Sequence, residues 1–183
     1  MGNSNVHSRI LVLGIDGAGK TSFLERYEYG TVQDILVKPT EAYVIKDIKV
    51  KGMKLHVWDV SGKEATRSLW KHYYSSEDST DAIIWVIDGS SSEERIEESR
   101  AAFNIAMSDP ALNGILLYVL VNKNDLPECR STEVISDTLN LNAQRDRRAV
   151  FISSISAKTG ANVREAMEEL AKGVKAAYKN KNI

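Results

Sequence analysis

A glycine-rich loop near the amino terminus has the residue types and spacing of a phosphate-binding site. Residues 14–21 read G-I-D-G-A-G-K-T, after the apolar run 10–13 and before a segment of helical character. Glycines let successive N–H groups point at phosphate oxygens, and a helix amino terminus favours negative charge. In this pattern the lysine reaches the outer phosphates and the threonine ligates magnesium. The nucleotide contacts predicted here are Gly14, Asp16, Gly17, Ala18, Gly19, Lys20, Thr21 and Ser22.

A second motif indicates which base is bound. The tetrapeptide Asn-Lys-Asn-Asp at 122–125 follows the apolar run 115–121. A carboxylate at Asp125 can accept from both N1–H and the 2-amino group of guanine. Adenine has an acceptor at N1 and no 2-amino group, so it would leave this carboxylate poorly satisfied, at a cost of about 1–3 kcal/mol or more. The sequence therefore predicts guanine.

Further residues are expected to support the base. Asn122 would brace the neighbouring loops, and Lys123 would lay its alkyl stem along the base. A backbone N–H from the segment after the last strand would contact the base oxygen. That segment comprises Ser156, Ala157 and Lys158.

The region between these motifs could sense a terminal phosphate. Asp59 ends an apolar strand, where its carboxylate can hold a magnesium-bound water, and the N–H of Gly62 can contact the phosphate. Thr40 is the predicted second hydroxyl ligand, which closes onto magnesium when the third phosphate is present. The predicted metal site thus comprises Thr21, Thr40 and, through water, Asp59.

Composition excludes several other classes of protein. The chain has 183 residues, 43% of them hydrophobic, and a formal net charge of -1, which fits one domain and argues against a nucleic-acid binder. The longest apolar runs are too short to span a bilayer, and no secretory leader precedes the first strand, so we expect a cytoplasmic location. The single cysteine, Cys129, cannot form an internal disulfide.

Short apolar strands alternate with amphipathic helices along the chain. Strands are predicted at 10–13, 43–50, 53–58, 82–87, 115–121 and 150–152, the second and third joined as a hairpin at Lys51-Gly52. Ser91 with Glu94, and Asn162 with Glu165, have the spacing of helix-capping pairs. This alternation predicts a doubly wound α/β sheet whose ligand loops follow the carboxyl ends of the strands.

Together these motifs resemble the small GTPases of the Ras superfamily and, within it, the ADP-ribosylation factor (Arf) and Arf-like branch. The branch is indicated by Asp16 in the phosphate loop, Pro39-Thr40, Trp58-Asp59-Val60 and the run L-W-K-H-Y-Y at 69–74. The resemblance covers nearly the whole chain. It implies a single P-loop GTPase domain over residues 9–183 after a short extension, 1–8. Its six-stranded sheet is expected to be mostly parallel, with one antiparallel strand.

The resemblance also implies a function. Such proteins bind GTP or GDP with Mg²⁺ and recruit effectors in the GTP state, often in intracellular trafficking, under an exchange factor and an activating protein. Tyr43, Trp58 and Tyr73 match the aromatic cluster that meets effectors. A monomer is expected.

Two departures from the family pattern concern catalysis and partner choice. Lys63 stands where the family has a glutamine, and Ser61-Gly62 replaces a glycine pair. A glutamine amide can accept from the attacking water, whereas an ammonium only donates, so we expect impaired turnover with Gly62 and Lys63 at the catalytic position. A competing hypothesis has Lys63 supplying charge to the transition state. Glu41 and Ala42 also differ from the usual residues, which favours either an altered exchange factor or a reduced sliding of the strand hairpin between nucleotide states.

The amino terminus leaves membrane attachment open. Gly2 is where Arf-type proteins can be myristoylated, but Val6 occupies the position of the expected serine or threonine. Acylation and an unmodified glycine remain alternatives, and a single acyl chain would give only weak membrane association.

Three functional hypotheses follow. The first is a guanine-nucleotide switch with slow hydrolysis, and the second is a scaffold that holds GTP permanently. The third, an ATP-using kinase, does not explain the Asn-Lys-Asn-Asp motif. Outside these motifs, we expect Glu97 and Glu98 on a solvated helix face, Arg147 and Arg148 in a surface loop, and Asp88 to end a strand.

Overall fold

A mixed six-stranded sheet forms the centre of the molecule. The computed structural model describes residues 7–30, 39–74 and 79–181. The strands are β1 His7–Leu13, β2 Tyr43–Val50, β3 Met53–Val60, β4 Ala82–Asp88, β5 Leu116–Asn122 and β6 Val150–Ser154. They lie in the order β2-β3-β1-β4-β5-β6, with β2 antiparallel to β3 and all other neighbours parallel. The predicted fold class is confirmed.

Helices pack on both faces of this sheet. They are α1 Lys20–Tyr29, α2 Lys71–Tyr74, α3 Glu93–Met107, α4 Thr132–Thr138, α5 Leu141–Arg145 and α6 Val163–Lys181. Two 3₁₀ helices lie at Glu64–Leu69 and Pro110–Leu112. Among the helices of the described ranges, none is long and apolar enough to cross a membrane.

The sheet separates two hydrophobic clusters because successive side chains on a strand point to opposite faces. Ile10 and Val12 of β1 pack on the side of α1 and α6, whereas Leu11 and Leu13 pack on the side of α3. Each fully buried aliphatic side chain of this kind stabilises the fold by about 1.5–3 kcal/mol. This double-sided burial explains why the central strands read as continuous apolar runs.

The hairpin forms where the sequence predicts it. Lys51 and Gly52 both have positive φ, 47° and 79°, as a two-residue turn of the primed type requires. Strand β2 matches its predicted bounds, and β3 continues past the predicted end to Val60. Strand β1 begins at His7, two residues before the predicted domain boundary.

The first of the two predicted helix caps is wrong. The hydroxyl of Ser92, not of Ser91, accepts from the N–H of Arg95 at the start of α3. Ser91 instead donates to the carbonyl of Asp88, at 2.8 Å. Asn162 immediately precedes α6, where its carbonyl accepts from the N–H of Ala166 at 3.0 Å, and its side-chain amide donates to the carbonyl of Ser154 in β6.

The prediction that Arg148 lies on the surface is also wrong. Its side chain is buried, and its Nη1 donates to the carbonyls of Leu112 and Ile115, at 2.8 and 3.4 Å. Arg148 therefore secures the 3₁₀ helix Pro110–Leu112 to the start of β5.

Candidate functional site

The phosphate-binding loop follows β1, and its shape depends on two glycines that contact other segments. Gly14 has φ 148°, and a Cβ there would lie 2.3 Å from the carbonyl oxygen of Val86. Gly19 has φ 94°, and a Cβ there would lie 2.2 Å from the amide nitrogen of Asn122. Any side chain at either position would push the loop away from its neighbours. The loop then continues directly into α1 at Lys20.

Lys20 reaches back across this loop. Its ammonium donates to the carbonyls of Gly14 and Ile15, at 2.9 and 3.1 Å. Burial lowers the pKa of Lys20 to about 8, since the charged form is poorly solvated there. An anion bound in the loop would stabilise the charged form of Lys20 in place of water, so the lysine is suited to contact phosphate.

Three oxygen-bearing side chains from separate segments meet beside the loop. Thr21 Oγ1 donates to Asp59 Oδ2 at 2.5 Å, and Thr40 Oγ1 lies 3.1 Å from Thr21 Oγ1. Thr40 Oγ1 is also 3.5 Å from Asp59 Oδ2. The predicted magnesium ligands are therefore adjacent.

The carboxylate of Asp59 is incompletely satisfied. Asp59 is fully buried, its Oδ1 has no hydrogen-bond partner within the described part of the chain, and burial raises its pKa. A buried carboxylate with a free oxygen, next to two hydroxyls, is a set of hard oxygen donors that suits Mg²⁺. The residues present therefore fit a magnesium ion.

Asn122, at the end of β5, connects three loops. Its Nδ2 donates to the carbonyl of Ala18 at 2.9 Å, and its Oδ1 accepts from the N–H of Lys123 and of Ala157, at 2.8 and 3.0 Å. This is the geometry expected of a bracing residue. Because the N–H of Ala157 already donates to Asn122, a base oxygen would have to share it.

Asp125 lies at the opening of an adjoining cleft. Ser156 Oγ donates to Asp125 Oδ1 at 2.7 Å, which orients the carboxylate. The cleft has a volume of about 370 Å³. Its lining residues are Gly19, Ser22, Arg26, Asn122, Lys123, Asp125, Leu126, Ala157 and Lys158.

Lys123 has a partner that the sequence analysis missed. Its ammonium lies 2.6 Å from Asp88 Oδ2. Burial would raise the pKa of Asp88, but hydrogen bonds from Lys123 and Ser90 hold it below its ordinary value. Asp88 pairs in register with Asn122 across β4 and β5. Both residues lie at the ends of predicted strands, and this is the feature of the sequence that could have indicated that Asp88 lies near Lys123.

A thiol lies against the same loop. Cys129 Sγ donates weakly to the carbonyl of Asn122 at 3.6 Å, and a Cβ on Gly89 would lie 2.5 Å from the sulfur. Burial raises the pKa of this thiol. Cys129 thus packs behind the base cleft and does not line it.

A second cleft, of about 450 Å³, shares Gly19, Ser22 and Lys123 with the first. It contains most of the predicted phosphate contacts and both threonines. Its lining residues are Asp16, Gly17, Gly19, Lys20, Thr21, Ser22, Pro39, Thr40, Ser61, Gly62, Lys63 and Lys123. The two clefts together are the candidate nucleotide site.

Gly62 and Lys63 occupy the wall opposite the phosphate loop. The carbonyl of Gly62 accepts from the N–H of Asp16 at 3.0 Å, and a Cβ on Gly62 would lie 2.4 Å from the carbonyl oxygen of Gly14. The glycine is therefore required for this close approach. Lys63 follows it, at the start of the 3₁₀ helix Glu64–Leu69.

An ionic network behind this wall was not predicted. Arg67 Nη2 lies 2.9 Å from Asp16 Oδ1 and 2.7 Å from Glu98 Oε1, and Arg95 contacts the same two carboxylates. Burial opposes ionisation, but these arginines hold the pKa of Asp16 and of Glu98 below their ordinary values. Glu98 is partly exposed, as expected of a solvated helix face, but it also bonds α3 to the 3₁₀ helix, a contact that the sequence does not predict.

The predicted effector residues also come together. The rings of Tyr43 and Trp58 stack with centroids 5.0 Å apart, and Tyr73 lies 5.2 Å from Tyr43. The guanidinium of Arg9 lies 4.6 Å from the centroid of the Trp58 ring. Tyr43 is 44% exposed, so the cluster reaches the surface. Gly2, the predicted lipidation site, lies outside the described residues.

Comparison with known proteins gives consistent matches. The sequence model of the ADP-ribosylation factor family matches residues 1–174. "ADP-ribosylation factor-like protein 3" of Chlamydomonas reinhardtii is 37% identical over 168 residues, which are 92% of this chain and 91% of the relative. "ADP-ribosylation factor-like protein 1" of Caenorhabditis elegans is 37% identical, covering 89% of this chain and 87% of the relative.

A solved structure shares the fold. The Arl6 BBS3 small GTPase of Trypanosoma brucei, solved with the bound nucleotide analogue GppNp, superimposes with a TM-score of 0.80 at 20% sequence identity. The match covers 93% of this chain and 99% of that chain.

Proposed function

The chain belongs to the ADP-ribosylation factor family, whose members are GTP-dependent switches, and we propose that it binds GTP and GDP with Mg²⁺ in the two joined clefts. The observation that carries this proposal is the meeting of Thr21, Thr40 and Asp59 beside the phosphate loop, where one buried carboxylate oxygen has no partner among the described residues. A bound magnesium ion would neutralise charge on the outer phosphates.

Each segment has a separate part in binding. Loop N–H groups and Lys20 would hold the phosphates, and Asp125 would select guanine by accepting from its two donors. Thr40 and Gly62 would respond to the third phosphate. Thr40 lies just before β2 and Gly62 just after β3, so a movement of either residue would be passed to the hairpin. Loss of that phosphate would release them and change the surface around Tyr43 and Trp58.

We propose that intrinsic hydrolysis is slow. Glutamine at position 63 could accept a hydrogen bond from the attacking water and so orient it. The ammonium of Lys63 can only donate hydrogen bonds, so it cannot orient the water in this way. The competing hypothesis, in which Lys63 speeds the reaction by stabilising transition-state charge, leaves the water without an orienting group.

Partners and cellular location are proposed from the membership of the family. Nucleotide binding with regulators and effectors is general in small GTPases, and the Tyr43, Trp58 and Tyr73 cluster is the proposed effector surface. We propose a cytoplasmic monomer acting in intracellular trafficking, peripheral on a membrane if Gly2 is acylated.

A second candidate function is a scaffold that remains bound to GTP. Lys63 favours it, because slow hydrolysis would leave GTP in place. The ion pairs of Arg67 with Asp16 and Glu98 also favour it, because they hold the 3₁₀ helix Glu64–Leu69 against the phosphate loop without a contribution from the nucleotide.

The deciding experiment measures the nucleotide that is bound after purification, then single-turnover hydrolysis with Mg²⁺ in the native chain and in Lys63→Gln. The switch proposal expects guanine nucleotide, with slow conversion of GTP to GDP that Lys63→Gln accelerates about tenfold or more. No conversion over many hours would favour the scaffold. A native rate equal to or above that of Lys63→Gln would contradict the impairment, and equal affinity for ATP would contradict the site itself.

A further inference from the structure

Lys63 lies where its positive charge can contact the phosphates of a bound nucleotide before hydrolysis begins. It lines the phosphate cleft with Thr40, Ser61 and Gly62. We propose that Lys63 is a ligand of the terminal phosphate in the bound ground state and thereby sets the preference of this site for GTP over GDP. The inference rests on the proposed nucleotide site and adds a specificity-determining residue to it.

The backbone of Lys63 is fixed from both sides. Its N–H donates to Ser61 Oγ at 3.4 Å, and its carbonyl accepts from both the N–H and the hydroxyl of Thr66, each at 2.9 Å. Thr66 Oγ1 also lies 3.1 Å from Ser61 Oγ, whose hydroxyl can donate to it. A glycine at 61 would lack the hydroxyl that completes this arrangement.

Ser61 is itself anchored. Its N–H donates to the carbonyl of Ala42 at 2.8 Å, and its carbonyl accepts from the indole N–H of Trp70, also at 2.8 Å. Ser61 is fully buried. The side chain of Lys63 therefore extends from a backbone held in place, so less conformational freedom is lost when it binds a ligand.

The other two described lysines that line the phosphate cleft already have partners. Lys20 donates to carbonyls of the phosphate loop, and Lys123 pairs with Asp88. Arg67 and Arg95 both contact Asp16 and Glu98. Within residues 7–30, 39–74 and 79–181, no carboxylate lies within ion-pair distance of Lys63. Among the described lysines that line the phosphate cleft, Lys63 is therefore the one whose ammonium has no partner.

Lys63 also borders a neighbouring cavity of about 460 Å³ that contains carboxylates. Two of these, Asp16 and Glu98, already contact arginines, and Glu64 and Glu94 are the remaining competitors. A terminal phosphate carries more charge than a single carboxylate and offers several acceptor oxygens, so it is the stronger partner. GDP lacks that group.

Such a contact would strengthen binding without accelerating hydrolysis. An ammonium that contacts the terminal phosphate equally well before and during bond cleavage lowers both energies together, which raises affinity and leaves the barrier unchanged. This separates the inference from the hypothesis of transition-state stabilisation.

The test measures dissociation constants for GDP and for GppNHp, with Mg²⁺, in the native chain and in Lys63→Met. We expect Lys63→Met to weaken GppNHp binding about tenfold while GDP binding changes less than about twofold. Lys71→Met is the matched control, because Lys71 is an exposed lysine on the next helix that does not line the phosphate cleft, and it should change neither. An unchanged GppNHp-to-GDP affinity ratio in Lys63→Met would overturn the inference. A native chain that binds neither nucleotide would instead overturn the proposed function.

The positioning role of Ser61 has its own test. Ser61→Gly should weaken GppNHp binding a few-fold, leave GDP binding unchanged, and have no further effect when combined with Lys63→Met. Thr66→Ser, which keeps the hydroxyl, should bind like the native chain, whereas Thr66→Val should behave like Ser61→Gly. Thermal unfolding of each variant verifies that it is folded. If Ser61→Gly weakens GppNHp binding equally with and without Lys63, Ser61 does not act by positioning Lys63.

Discussion

The base side and the switch side of the cleft are held by different kinds of contact. On the base side, Asn122 bonds to the backbone of two neighbouring loops, and Ser156 orients Asp125. On the switch side, the contacts join side chains of separate segments, and Asp59 retains a buried oxygen without a partner in the described structure. The first set is complete without ligand and the second is not. We infer that base recognition is preformed, whereas phosphate sensing depends on contacts that the ligand completes.

Removing the brace should give the largest effect. Asn122→Ala leaves the carbonyl of Ala18 and the N–H of Ala157 without their partner, at a cost of about 3 kcal/mol in the free energy of unfolding. Affinity for GDP and GppNHp should fall together, since both share the base. Thermal unfolding and calorimetry measure the two effects.

The control for this change is Asn124→Ala, because Asn124 is an exposed neighbour that uses its backbone N–H rather than its side chain. It should be nearly neutral. If Asn122→Ala weakened the binding of GppNHp but not of GDP, the base side would also sense the third phosphate. The difference between the base side and the switch side would then not hold.

Removing a switch-side hydroxyl should discriminate between nucleotides. Thr40→Ala should weaken Mg²⁺-dependent GppNHp binding about tenfold and leave GDP binding nearly unchanged, since Thr40 is expected to close only on the triphosphate complex. Thr21→Ala should weaken both complexes, because Thr21 belongs to the phosphate loop itself. Titration with and without chelator gives the magnesium-dependent part. Equal losses in the two variants would contradict separate roles for these threonines.

The smallest effect is expected from the ionic network of Asp16, Arg67 and Glu98. The pKa values of Asp16 and Glu98 are held below their ordinary 3.8 and 4.5, so ionisation favours the folded state. Their contribution is full above those ordinary values and is lost as the pH falls through the lowered folded values. Because the side chains of both acids are partly exposed to solvent, the contribution is under about 1 kcal/mol.

Arg67→Gln should therefore be less stable than the native chain near neutral pH, and the difference should shrink between about pH 5 and pH 3. Chemical denaturation across that range measures it. Arg145→Gln is the control, since Arg145 contacts Asn142 and has no carboxylate partner among the described residues. A difference that stays constant with pH would show that Arg67 acts through its bond to the carbonyl of Gly62 instead.

The base side was the easier half to predict from sequence. Its residues fall in two short motifs, 122–125 and 156–158, at the ends of apolar strands, and parallel strands bring such ends to one edge. The hairpin turn was predicted for a similar reason, because Lys51-Gly52 is a local signal. The phosphate loop likewise has all its signature residues in one segment.

What could not be predicted depends on contacts between distant segments. Asp16, Arg67 and Glu98 lie on three elements and share no spacing that a sequence pattern would reveal. The burial of Arg148 depends on carbonyls of Leu112 and Ile115 that only the folded chain brings near. The cap of α3 was misplaced by one residue because three serines run together at 90–92, and each can accept from a backbone N–H.

The thiol behind the base cleft gives the protein an internal reporter. Cys129 is the single cysteine of the sequence, its sulfur packs beside Gly89 and the carbonyl of Asn122, and burial makes its thiolate scarce. A partly buried thiol in that position reacts faster with alkylating reagents when the surrounding loop opens. The rate of its modification would therefore register how often the loop opens, without any introduced label.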